Sequence, residues 1–115
     1  MISFFAETEP LRGFQGDTFP EFDIAVDSEE VTDSWTMHLL LEYYSSPGTA
    51  VFTKECTYNS DESGAVFTVQ LLTEDTENLC GAYHMHFVLT NPDGLEFRRL
   101  YGLLTVIPSP REVIR

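Results

Sequence analysis

At 115 residues, 43% of them hydrophobic and 13% aromatic, the chain suits one folded domain rather than a disordered segment. Its formal net charge is -13, and residues 1–93 hold 17 acids against only Arg12 and Lys54 as bases. An acidic body of this kind repels phosphate backbones and anionic lipid surfaces, which excludes nucleic acid and membrane as the main partners.

Residues 1–14 contain Phe4, Phe5, Leu11 and Phe14 without a clean period, and read as an arm or edge strand ahead of a domain at 15–107. From there alternation with period two recurs, the pattern of half-buried strands. Phe22, Ile24 and Val26 alternate with Glu21, Asp23 and Ala25. Trp35, Met37, Leu39 and Leu41 alternate with Thr36, His38, Leu40 and Glu42. Ala50 to Tyr58 is β-rich, and Ala65, Phe67, Val69 and Leu71 form another inward row. Residues 73–78 are expected to hold one helical turn. Tyr83, Met85, Phe87 and Leu89 come next, then a final strand within 95–107. Pro108-Ser109-Pro110 ends it and opens an extended tail, 108–115.

Asn91-Pro92-Asp93-Gly94 predicts a hairpin joining the last two strands, because proline presets the first turn position and Gly94 accepts the left-handed one. That register sets Leu89 against Phe97 but also turns Arg99 inward against Phe87. A bulge near Arg98–Arg99 or Gly102, or an arginine reaching the sheet edge, is therefore expected. Leu79, Gly81 and Tyr83 have the spacing of a tyrosine corner, in which a tyrosine bonds back to the preceding loop, and Trp35 is expected to pack beneath it. These features predict an all-β fold, an immunoglobulin-like antiparallel β-sandwich of about seven strands, with a closed small barrel as the alternative. Two cysteines are too few for a disulfide scaffold, so Cys56 and Cys80 are expected as buried free thiols, with an inter-sheet bridge the alternative. Such thiols suit a reducing cytoplasm, and since no basic-then-apolar leader opens the chain, no signal peptide is expected.

If Trp35 and Tyr83 face inward, His38, His84 and His86 face outward, and three imidazoles can hold zinc. The neighbours on that face include no evident supporting carboxylate, and the spacing matches no compact zinc motif, so a solvated or partner-facing sheet is the expected reading and no cofactor is assigned. The acids cluster in expected loops: Asp27, Glu29 and Glu30; Asp61 and Glu62; Glu74, Asp75 and Glu77. Calcium needs about six to eight converging oxygens, and no EF-hand spacing is present, so solvated charge is expected there. There is no Gly-x-Ser-x-Gly elbow, phosphate-cradling loop or His-Glu-x-x-His pair, and no catalytic residue is assigned. Leu40, Tyr44, Val88 and Leu100 would share the outer face with the histidines, an apolar mixture that suits a protein interface.

Gly16-Asp17-Thr18-Phe19 leads into the first clear strand. Leu72-Thr73-Glu74-Asp75-Thr76 precedes the corner, followed by Leu79-x-Gly81-x-Tyr83, Asp93-Gly94 and Gly102-x-Leu104-x-Val106. This order resembles small β-sandwich proteins of tailed bacteriophages and prophages, the N-terminal domain of baseplate upper proteins being the nearest. The Asp-Leu-Thr-Gly-like phrase frequent after the first strand in that group is replaced here by Asp27-Ser28-Glu29-Glu30-Val31. The resemblance implies a non-enzymatic virion component of tail or baseplate. It would be made in the bacterial cytoplasm and retained in the virion. It would act through contacts with other phage structural proteins or with copies of itself. The alternative is a ligand-binding module taking calcium or carbohydrate at the loop ends.

Overall fold

The computed structural model describes residues 3–5, 11–61 and 64–108. Among these described residues, nine strands and one helical turn follow in chain order: β1 (Ser3–Phe5), β2 (Leu11–Phe14), β3 (Phe22–Asp27), β4 (Thr36–Tyr43), β5 (Ala50–Glu55), β6 (Thr57–Asp61), β7 (Gly64–Val69), α1 (Thr73–Thr76), β8 (Gly81–Thr90) and β9 (Glu96–Ile107). They form a four-stranded sheet, β1-β3-β7-β6, and a five-stranded sheet, β2-β9-β8-β4-β5. Without edge strands β2 and β5, the remaining seven strands have immunoglobulin-like connectivity.

Two features of the expected layout change. The N-terminal segment supplies an edge strand to each sheet: β1 lies antiparallel to β3, and β2 runs parallel to β9, so the sandwich is not wholly antiparallel. The β-rich run 50–58 is two strands, with the single residue Cys56 carrying the chain from one sheet to the other. Residues 62–63 and 109–115 lie outside the described residues, and so do Glu62 of one acidic cluster and most of the expected tail.

Alternation determines the core. Ile24, Met37, Leu39, Leu41, Phe67, Leu71, Tyr83, Met85, Phe87, Leu89 and Leu104 are almost completely buried between the sheets. Each such side chain contributes about 1.5–3 kcal/mol relative to exposure. The 91–95 turn forms as its residues dictate. Gly94 has φ +87°, the Asn91 amide donates to the Leu95 carbonyl at 3.0 Å, and Asn91 Oδ1 accepts the Asp93 and Leu95 amides. Leu89 then pairs with Phe97 and Phe87 with Arg99. His86 pairs with Leu100 while Met85 pairs with Gly102, leaving Tyr101 as the extra residue of a bulge. That bulge moves the inward row of β9 from odd to even positions, so Leu104 and Val106 are buried. Arg99, ahead of the bulge, stays opposite Phe87 and is exposed.

The tyrosine corner closes one end. Gly81 enters β8 at φ +113°, a left-handed conformation that suits glycine. The Tyr83 hydroxyl accepts the Cys80 amide at 2.7 Å and donates to the Cys80 carbonyl at 2.9 Å. Burial, its largest influence, pushes the Tyr83 phenol above its ordinary pKa. Trp35 does not pack beneath this corner. The antiparallel register sets Tyr43 against Tyr83 and Thr36 against Thr90, so Trp35 lies at the other end of β4 and stacks on Phe97 at 6.2 Å. Tyr43 takes the expected place, with its ring centroid 5.1 Å from that of Tyr83.

Candidate functional site

The outer face of the five-stranded sheet gathers the groups that alternation leaves outside. On β4 these are His38, Leu40 and Glu42; on β8 they are His84, His86 and Val88. The register sets Leu40 beside His86 and Glu42 beside His84. Glu42 reaches diagonally, and its Oε1 accepts from His86 Nε2 at 2.8 Å. Its Oε2 accepts the Gly48 amide at 2.8 Å, tying the β4–β5 connection to the face. The Gly48 amide, then His86, holds the Glu42 carboxyl below its ordinary pKa. A carboxylate only accepts, so Nε2 carries the hydrogen, and the buried Nδ1 has no hydrogen-bond partner among the described residues.

The imidazoles extend into an aromatic ladder. The Tyr44 and His84 rings lie 4.8 Å apart, and His84 lies 6.5 Å from His86. Tyr44 is 58% exposed and crowns the ladder at the tyrosine-corner end. All three histidines are partly buried and face outward, as the alternation requires. Among the described residues, however, no group of three or more His, Cys, Asp or Glu side chains is placed to hold a metal ion. His86 is engaged by Glu42, a carboxylate partner that the sequence did not reveal.

The expected interface residues divide. Leu40 is partly exposed and Tyr44 is open, but Val88 is only 4% exposed, because His38 and Arg98 flank it in the same row. Leu100 pairs with His86 through its backbone, and its side chain lies outside the described residues.

Elsewhere, Lys54 joins the two sheets near α1. Its Nζ donates to the Gln70 carbonyl at 2.8 Å and contacts Asp75 Oδ2 at 2.6 Å, while that carboxylate also accepts the Leu72 amide. Asp75 therefore anchors structure rather than standing in an open acidic cluster. An open cleft of about 220 Å³ beside Lys54 is bordered by Glu21, Glu55, Thr68 and Gln70. Thr76, fully buried, donates to the Asp17 carbonyl at 2.6 Å and accepts the Gly16 amide at 3.1 Å, fastening α1 to the loop after β2.

Both cysteines are free, but they are not alike. Cys56 is buried, and desolvation pushes its thiol up to about 12. Cys80 is exposed, contrary to the expectation of two buried thiols, because the corner turns it outward between Leu79 and Gly81.

Among the described residues, no helix is long and apolar enough to cross a membrane. No protein-family model, curated protein or solved structure matches the chain.

Proposed function

We propose that this chain is a non-enzymatic structural module of a phage or prophage particle, a tail or baseplate component that works through protein–protein contacts. The observation that carries the docking part of this reading is the Tyr44–His84–His86 ladder beside Leu40 on the outer face of the five-stranded sheet. Such a surface offers aromatic and apolar area with few mobile side chains, so little conformational entropy opposes docking. The sheet beneath it is held rigid by the buried Leu39, Met85 and Phe87. The phage setting rests on the ordered glycine-centred motifs between Gly16 and Val106.

The test is co-expression with the tail and baseplate proteins encoded beside its gene, followed by gel filtration, with mass spectrometry of purified particles. Stable co-elution with one of them, weakened by Tyr44→Asp, and presence in the particle are the expected results. Co-elution with none, together with absence from the particle, would overturn the proposal.

A further inference from the structure

We infer that the outer face of the five-stranded sheet docks a second copy of this chain, face to face about a twofold axis running parallel to the strands. The inference rests on the docking part of the reading above and not on the phage setting.

The first argument is charge. At a net -13, two copies repel wherever their acidic surfaces meet. On the outer face of the four-stranded sheet, Asp23 and Asp27 stand among Ala25, Val66 and Thr68, without a cation among the described residues. The five-stranded face is different. Arg12 and Arg98 share it with three histidines, against Glu42, Glu55 and Glu96. Glu42 is already held by Gly48 and His86, while Glu55 and Glu96 both lie at the end of the sheet away from the tyrosine corner.

The second argument is register. One row runs straight across the sheet: Glu55 on edge strand β5, His38 on β4, Val88 on β8 and Arg98 on β9. A twofold axis lying over β8 along the strands turns this row end for end. Viewed down the face, each Arg98 then lies about one strand spacing, ~4.8 Å, to the side of the other copy's Glu55, within reach of the two long side chains across the interface. The symmetry makes this pair twice, with Val88 and His38 between the two pairs and the Leu40–His86 row beside them, one outward position along the strands. The acid at one edge and the base three strands away are thus complementary to a copy of themselves.

The third argument is size. Five strands at ~4.8 Å and about eight residues at ~3.3 Å give a face of roughly 600 Å². That approaches the ~800 Å² per partner of a standard specific interface, which suits a dimer that forms in the micromolar range.

Sedimentation velocity of the full chain across a concentration series tests this directly. A monomer–dimer equilibrium with Kd of order 10 µM is expected. Arg98→Glu and Glu55→Arg should each weaken it about tenfold, and the double swap should restore it to within about threefold. Glu55→Arg is the telling single change, since it lowers the net negative charge and would strengthen an association limited only by general repulsion. Leu40→Glu should abolish the dimer, whereas Asn59→Glu, on the outer face of the four-stranded sheet, should leave it intact. Circular dichroism establishes that each variant is folded. A chain that stays monomeric at about 300 µM, or folded single variants not rescued by the double swap, would overturn the inference. A monomer that still co-elutes with a tail protein sinks this inference and leaves the proposed function standing. A dimer with no tail partner does the reverse.

Discussion

On the four-stranded sheet, Asp23 and Asp27 look outward on either side of the inward Ile24 and Val26, and one of them, Asp23, accepts a bond from Thr68 on the next strand. On the five-stranded sheet, Leu40 and Glu42 look outward, alternating with the inward Leu39 and Leu41, beside His84 and His86. The inward rows of the two sheets are chemically interchangeable; the outward rows are not. One outer face is acidic, without a cation among the described residues. The other is broad, close to neutral, and knit by contacts between strands far apart in sequence. Inner faces answer to a single demand, the exclusion of water, while outer faces are free to differ.

The equivalence of the inner faces is the easiest part to break. Phe67→Ala and Phe87→Ala, one from each sheet, should each cost about 3–5 kcal/mol in denaturant unfolding. If either cost less than ~1 kcal/mol, the two sheets would not share one core. Tyr83→Phe removes the hydroxyl that serves both Cys80 backbone groups, and should cost about 1–3 kcal/mol, which chemical denaturation measures. Gly13→Ala sharpens the same end of the sandwich. A Cβ there would fall 2.6 Å from the Phe19 ring, so a loss of about 1–3 kcal/mol is expected.

The two cysteines report on inside and outside directly. A thiol reagent should modify Cys80 in the native state and Cys56 only on unfolding, which mass spectrometry distinguishes. The buried Cys56 favours its neutral form, with its pKa raised from 9.0 to about 12. Its contribution to stability is therefore fully present below pH 9.0 and is lost as pH rises toward about 12. Cys56→Ala should flatten that alkaline fall in melting temperature. The smallest effect concerns Glu42. Its pKa is depressed from 4.5, so the stability it lends is present above that pH and declines as pH falls through the folded-state value. Glu42→Gln should reduce the acid-side slope of melting temperature below about pH 4.5, whereas Asp23→Asn on the other face should shift stability by no more than ~0.5 kcal/mol.

The sequence alone determined which side of each main strand turns inward, because side-chain direction has period two and water exclusion enforces it on every strand. It also determined the 91–95 hairpin and the tyrosine corner, since Asn91, Gly94, Gly81 and Tyr83 act within a few residues of one another. The conflict at Arg99 was legible too, and so was a bulge nearby, although the bulge at Tyr101 was located only to its neighbourhood and lies beyond Arg99. Tertiary structure decided the rest: that Trp35 lies far from Tyr83, that Val88 is covered on an outward row, that Cys80 is open, and that Glu42 meets His86 across 44 positions of chain. Those outcomes depend on which strands become neighbours and in what register. Segments so distant are aligned by the packing of the whole core, and no local preference records it.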